Sequence, residues 1–477
     1  MQMSIAMQSN QAPGNRAMIQ HHAPTVMRWL LVLMLVTAGC FSSLIPLSAQ
    51  SPGKSSPPNI LFFLADDLGW RDLGCYGSRF YESPTLDQLA ASGLRFTQAY
   101  TAATVCSPTR ASILTGQTPA RHGCTNYGGS IDPSKHISLG KTLQRSGYQT
   151  FFAGKWHIGN TTPQQEGFTE IAEKSTRSGD PKTDPKSTRS ITQSTLEFLN
   201  QIDPDQPFFA YVNYHAVHTP LRERADLVAK YHAKRTANPP TSFGPSGLET
   251  ERDRANKQIQ DDPAFAAMVE GLDTSVAKIL ESLAKAGLKE NTIVIFYSDN
   301  GGLSTKPCTS NLPLRAGKGW VYEGGIRVPL IIRWPGHITP GTTCETPVTS
   351  MDFYPTLLQA AGLQLLPKEH QDGISLLPLI TEGTRPARTT FYWHYPHYHG
   401  AGCIPVGAMR EGSHKLIQWY GSKRYELYDL STDPSELTDI SESHPELVRR
   451  LADKFKRWQN SFPKIKYDSV NKFKKNK

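Results

Sequence analysis

Four apolar runs in this chain break off into charged or polar residues at the same end, and no other feature limits the fold as much. Residues 59–67 (NILFFLADD) end in Asp66 and Asp67, and residues 148–159 (YQTFFAGKWHIG) in Lys155 and His157. Residues 207–220 (PFFAYVNYHAVHTP) end in His215 and His218, and residues 291–302 (NTIVIFYSDNGG) in Asp299 and Asn300. A fifth run, 327–336, reads RVPLIIRWPG. Runs this short and this apolar read as strands buried on both faces of a parallel sheet. Helical patterns over 85–92, 138–146, 192–200 and 264–286 lie between them. Strand alternating with helix gives the class α/β: a large mixed, mostly parallel sheet flanked by helices. In open α/β sheets, ligands bind beyond the carboxyl ends of the strands. The four runs therefore deliver acid, base and metal-ligating groups to one rim.

From about Leu366 the pattern changes. TTFYWHYPHYH, GAMREGSHKLIQWY and RYELYDL read as antiparallel strands, and 445–462 as an amphipathic helix. A chain of 477 residues is long for one core. We expect a catalytic α/β domain over 50–365 and a smaller C-terminal α+β domain, an antiparallel sheet plus helix, over 366–463. Residues 175–190 and 236–262 are polar and rich in Pro, Lys or Ser, and read as surface insertions.

Residues 1–49 read as a targeting segment. Arg28 precedes the apolar run WLLVLMLVTAGC, and LIPLSAQ offers a small-residue cleavage site after Ala49. The run is too short for a comfortable membrane span. TAGC, Thr37 to Cys40, is similar to a bacterial lipoprotein cleavage box, with Thr37 where Leu or Val is usual. Export to the periplasm or the extracellular space is expected. Release in soluble form and a lipid anchor at Cys40 both stay open, and the anchor is the one expected route to a membrane. Of the formal charge of +9, the basic tail 464–477 holds +5 and the leader +2, so the rest carries about +2. A nucleic-acid footprint lies on a folded body, so no nucleic-acid partner is expected. Seven cysteines are present, at 40, 75, 106, 124, 308, 344 and 403. Their spacing has no metal-ligand rhythm and leaves room for one or two disulfides at most.

CSPTRASILTG, 106–116, is the most specific piece. Pro108 fixes φ and suits the first turn of a helix. A helix N-terminus presents free N–H groups to an anion, and Arg110 adds a guanidinium that grips tetrahedral oxyanions. On these residues alone, Cys106 is either a buried or disulfide-bonded thiol or a thiolate nucleophile.

A third reading comes from a resemblance. The chain resembles the sulfatase family, whose members carry C-x-P-S/T-R and then L-T-G: here Cys106, Pro108, Thr109, Arg110, and Leu114, Thr115, Gly116. ADDLGW (65–70), GKWHIG (154–159), AVHTP (216–220), SDNGG (298–302) and LRAGKGWVYEGGIRVP (314–329) follow the family's other motifs, in family order. The likeness runs from Asn59 to about Asp439. Any one of these motifs is a weak signal; six in order are a strong one.

The resemblance implies that a formylglycine-generating enzyme oxidises Cys106 to formylglycine, whose hydrate attacks the sulfur of a sulfate monoester. It implies a metal held by Asp66, Asp67, Asp299, Asn300 and the modified Cys106. Oxygen ligands without a zinc rhythm suit Ca²⁺ or Mg²⁺, and the expected export favours Ca²⁺. By the same resemblance Lys155, Lys318 and Arg110 stabilise charge, His218 with Lys318 protonates the leaving alkoxide, and His157 deprotonates the second hydroxyl. A sulfated carbohydrate is the expected substrate. His394, His397 and His399 in WHYPHYHG are expected to overhang the cleft and contact it. His215, Asp352, Tyr354 and Cys308 read as packed side chains. Two alternatives stand beside this reading. One is a phosphonate or phosphate monoesterase of the wider alkaline-phosphatase-like superfamily. The other is a non-catalytic sulfated-glycan-binding protein in which Cys106 stays unmodified.

Overall fold

Strand β1 (Asn59–Ala65) is buried along its whole length. Its alternate side chains feed two separate cores: Leu61, Phe63 and Ala65 enter one, Ile60, Phe62 and Leu64 the other. A strand covered on both faces needs a continuous apolar run, and NILFFLA is one. The computed structural model that shows this describes residues 56–172, 180–305, 308–422, 424–463 and 467–469. The leader 1–49, Cys40 and most of the basic tail lie outside the described residues.

The other strands, in chain order, are β2 (Leu94–Tyr100), β3 (Gln149–Gly154), β4 (Glu170–Ile171), β5 (Phe208–Asn213), β6 (Thr250–Glu251), β7 (Arg254–Ala255), β8 (Thr292–Ser298), β9 (Arg327–Arg333), β10 (Thr342–Cys344) and β11 (Val348–Thr349). β6 and β7 form a small separate hairpin. The rest join β1 in one nine-stranded sheet, in the order β10-β2-β9-β8-β1-β5-β3-β4, with β11 also on β2. β9 runs antiparallel to β2 and β8, and the other pairs are parallel. Helices Pro84–Ala91, Thr188–Gln201, Ala225–Ala237 and Pro263–Lys285 cover one face. Helices Cys106–Thr115, Leu139–Arg145, Phe353–Ala360 and Leu377–Glu382 cover the other.

Strands β12 (Thr390–Tyr395), β13 (Val406–Glu411), β14 (His414–Trp419) and β15 (Arg424–Asp429) form an antiparallel sheet in that order. Helix Pro445–Gln459 covers one face, packing Leu451 and Phe455 on Met409, Leu416 and Leu427. The opposite face shares a core with the large sheet: Trp393, Tyr395 and Trp419 pack with Tyr100, Trp320 and Tyr322. Upstream of β12, Leu376, Leu379 and Ile380 still belong to the second core of the large sheet.

The room left for one or two disulfides is not used among the described cysteines. One expectation is corrected. The polar stretches are not simple surface insertions. Lys186, Ser187 and Thr188 are buried, and Thr188 opens a helix. Gln260 is buried as well and donates to Asp72 at 2.9 Å. A polar segment lacks apolar periodicity whether it lies on the surface or threads inward on hydrogen bonds. No described helix is long and apolar enough to cross a membrane.

Candidate active site

β1 ends at Ala65, and the chain turns sharply at Asp66 and Asp67. Asp67 takes a left-handed φ of 66°, costly for a residue with a side chain. The turn is held from the end of β8: Asp67 N–H donates to Asp299 Oδ1 at 3.2 Å, and Leu68 N–H to Ser298 Oγ at 3.1 Å. Two parallel neighbours thus place both aspartates and the Asp299–Asn300 pair on one rim.

Helix Cys106–Thr115 points its N-terminus at that rim, and all ten of its residues are buried. Arg110 has no exposed surface. Its Nη2 lies 2.7 Å from Asp299 Oδ2, and its Nη1 donates to the Lys155 carbonyl at 2.6 Å. Lys155 Nζ meets Asp66 Oδ2 at 2.5 Å, and Lys318 Nζ meets Asp67 Oδ1 at 2.7 Å. Lys318 also reaches Cys106 Sγ at 3.4 Å. Lys318 gets there because two glycine-rich turns close on each other. A Cβ on Gly301 would sit 1.9 Å from the Gly324 carbonyl oxygen, and one on Gly317 would sit 2.1 Å from that of Gly302. Only glycine permits that approach, which accounts for the glycines of SDNGG and GKGWVYEGG.

The rim holds three carboxylates, Asp66, Asp67 and Asp299, against three cations, Lys155, Lys318 and Arg110. Burial pushes the Asp66 carboxyl up, but Lys155, His218 and Arg110 outweigh it and hold it well below the usual range. Burial opposes ionisation of Asp67 as well, and Lys318 and His218 overcome it. Two buried oxygens lack a hydrogen-bond partner, Asp66 Oδ1 and Asn300 Oδ1. An unpaired buried acceptor costs roughly 1–3 kcal/mol. Asp66, Asp67, Cys106 and His218 each bring a ligand atom within 4.8 Å of the others. Orphaned oxygens beside clustered carboxylates fit a hard, oxygen-seeking cation. Asp299 falls outside that group of four, and its Oδ2 is taken by Arg110.

The titrating side chains are poised as follows. Burial pushes the Cys106 thiol up to about 12, and Lys155 and Lys318 offset only part of this. The thiol therefore stays protonated, which removes the ground for a resting thiolate. Burial, then Lys155 and Arg110, bring His157 down to about 3, so its imidazole stays neutral. Its Nδ1 is buried without a hydrogen-bond partner. Burial also lowers His218, against the pull of Asp67 and Asp66. His218 Nε2 lies 3.7 Å from Asp67 Oδ2. A cavity of about 270 Å³ opens over the rim, lined by Asp66, Lys155, His157, Lys186, His215 and His218 among others. His215 thus borders the cavity. Lys186 was missed in the sequence, where it sits in a polar stretch with no motif around it.

The three histidines of WHYPHYHG separate. His399 lies against the Lys318–Gly319 turn: a Cβ on Gly319 would fall 2.2 Å from its Nδ1. Its ring meets Tyr127 and Tyr395 edge-on. His397 bonds Thr125 Oγ1 at 3.0 Å. That segment docks beside the helix Cys106–Thr115, where Gly128 N–H donates to Ser107 Oγ at 2.8 Å. His394 is placed apart from the other two. Side chains alternate along a strand, and Trp393 and Tyr395 take the face toward the large sheet. His394 therefore turns the other way, with Nδ1 2.6 Å from Tyr420 Oη. The groove there is roomier, about 450 Å³, but its lining has none of the rim's charged groups. The chemistry decides for the smaller cavity.

Comparison with known proteins agrees with this geometry. The family model described as Sulfatase matches residues 58–363, and one described as N-sulphoglucosamine sulphohydrolase, C-terminal, matches 316–461. A sulfatase of Formosa agariphila is 32% identical, over 87% of this chain and 91% of its own. The N-acetylgalactosamine-6-sulfatase of Mus musculus is 32% identical, over 84% of this chain and 81% of its own. Among solved structures, Ps i-CgsB in complex with k-i-k-neocarrahexaose superposes with a TM-score of 0.71 at 26% identity, covering 87% of this chain and 96% of that one.

Proposed function

This chain belongs to the sulfatase family and is a sulfuric ester hydrolase, and on that premise we propose that it removes sulfate from a sulfated carbohydrate through a formylglycine made from Cys106. The observation that carries the proposal is the setting of Cys106. It sits at a helix N-terminus, 3.4 Å from Lys318 Nζ, within 4.8 Å of the ligand atoms of Asp66, Asp67 and His218. Such a setting stabilises negative charge building on a tetrahedral sulfate.

A formylglycine hydrate would supply the attacking hydroxyl, and a cation held at the rim, Ca²⁺ in preference to Mg²⁺, would supply Lewis-acid charge. Asp66, Asp67, Asp299 and Asn300 would hold that cation together with the modified residue. Lys155, Lys318 and Arg110 balance the charge that develops on the ester. His218 gives a proton to the departing oxygen. His157, kept neutral, takes the proton of the remaining hydroxyl so that sulfate leaves. For the carbohydrate, support comes from the names of the relatives and from His397 and His399, with the exposed ring of Tyr127 set against His399 near the rim. Such rings suit stacking on a sugar face. Export to the periplasm or outside the cell, free or anchored through Cys40, and maturation by a formylglycine-generating enzyme complete the proposal.

The test is peptide mass spectrometry of the tryptic fragment holding Cys106, on protein from its own host, with turnover of aryl sulfate and aryl phosphate. Formylglycine and a preference for sulfate are expected. An intact thiol in protein that binds sulfated glycans without turnover would overturn the hydrolytic route. A preference for phosphate would move the chain to the monoesterase reading.

A further inference from the structure

We propose that Lys186 is a positioning residue for His218, and that through it this chain handles esters whose leaving oxygen needs a proton. The inference rests on the reading of His218 as the proton donor. Lys186 is 3% exposed and lines the same cavity as His218. Its Nζ donates to the His218 carbonyl oxygen at 2.5 Å. An ammonium is expensive to bury unless it is held by acceptors, so this placement is a commitment of the fold. The turn that carries Lys186 is braced by Asp184, whose carboxylate accepts from Arg189 N–H at 2.9 Å and from Ser190 N–H at 2.8 Å. Lys186 thus acts from a fixed support.

The imidazole of His218 is fixed as well. Its Nδ1 lies 2.6 Å from the Thr219 carbonyl oxygen, which only accepts, so Nδ1 carries a hydrogen. That leaves Nε2, the atom facing Asp67, as the nitrogen that exchanges the catalytic proton. Lys186 holds the backbone of this residue and the Thr219 carbonyl holds its ring. Nε2 is thereby kept where it can serve the leaving group. In the step concerned, a bond forms between sulfur and the hydroxyl oxygen derived from Cys106 as the ester S–O bond breaks and leaves its electron pair on the leaving oxygen. The proton on His218 Nε2 moves to that oxygen, leaving the ring neutral. A displaced Nε2 hurts this step most when the leaving oxygen is strongly basic, as in a sugar alcohol, and least when the leaving anion is stable without a proton.

The experiment uses full-length, formylglycine-bearing enzyme and substituted phenyl sulfates, from p-nitrophenyl to p-methoxyphenyl, with Lys186→Met, His218→Ala and the double variant. General acid catalysis contributes about 10²–10⁴-fold. Lys186→Met should lower kcat on p-methoxyphenyl sulfate about tenfold more than on p-nitrophenyl sulfate. His218→Ala should show the same split, larger, and the double variant should be no worse than His218→Ala alone. Equal losses on all esters, or losses that multiply in the double variant, overturn the inference. If His218→Ala shows no split, the reading of His218 as proton donor fails, a result distinct from failure of Lys186 alone. Should Lys186→Met not fold, as judged by its thermal midpoint, Lys186→Arg keeps a displaced donor. It should show a smaller split of the same sign, and no split would overturn the inference.

Discussion

Arg110 anchors the rim through its guanidinium. Fully buried, it pairs with Asp299 and also holds the carbonyl of Lys155, the residue that faces Asp66. Removing one partner of a buried pair leaves the other charge uncompensated, at about 3–5 kcal/mol. Arg110→Met should therefore lower the thermal midpoint sharply as well as abolish turnover. Arg110→Lys, a point charge without the planar fork, should lose less stability and most activity. Calorimetry beside an aryl sulfatase assay separates the two effects. The orphaned oxygens of Asp66 and Asn300 give a second prediction at this scale. Stripping the enzyme with a chelator should lower its midpoint, and Ca²⁺ should restore it better than Mg²⁺, because a ligand that binds the folded state stabilises it. Asp66→Ala should abolish the response to Ca²⁺, and a response that survives would place the cation elsewhere.

Among the elements, the paired glycine turns govern whether Lys318 reaches the rim. Gly301→Ala forces a Cβ onto the Gly324 carbonyl oxygen, 1.9 Å away, and the atom it meets is backbone, not the movable end of a side chain. Overpacking of this kind costs about 1–3 kcal/mol. Activity should fall further than stability, since Lys318 moves with the turn, and a variant of normal activity would refute the coupling. Strand parity gives the opposite expectation for β12. His394 faces away from the large sheet, so His394→Ala should leave aryl sulfate turnover essentially unchanged. His399→Ala, beside the Lys318–Gly319 turn, should raise KM for a sulfated sugar. Equal effects of the two would mean that β12 is read on the wrong face.

At the scale of the whole molecule, the two sheets are locked by a buried ion triad. Lys415 lies 3.0 Å from Glu323 and 2.8 Å from Glu436, and none of the three side chains is exposed. Glu323 opens the short helix Glu323–Ile326, just after the Lys318 turn, and Lys415 lies on β14, so the triad ties that segment to the C-terminal sheet. Burial, and Glu323 nearby, push Glu436 up from 4.5 to about 7. Between these values the folded chain holds a proton that the unfolded chain has released. This group's contribution to stability is therefore full below about pH 4.5 and is lost as pH rises through about 7. Glu436→Gln should gain thermal stability relative to wild type over that interval. A difference that does not change with pH would show that Glu436 does not titrate there.

The sequence alone determined the α/β class, the main-sheet strands β1, β3, β5, β8 and β9 but not β2, β4, β10 or β11, and the rim residues Asp66, Asp67, Cys106, Arg110, Lys155, His157, His218, Asp299, Asn300 and Lys318. A strand was legible because an apolar run is a local signal, and the rim residues because six short motifs, each weak by itself, stand in the order of a known family. Tertiary structure alone decided that Lys186 stands behind His218, that His394 faces away, that the described cysteines form no disulfide, and that Lys415 joins two carboxylates from distant segments. Those facts depend on which parts of the chain meet and which face they turn. A polar segment carries no periodicity that records its partners. A histidine on a strand also looks the same in sequence on either face, until the packing of its neighbours sets the parity.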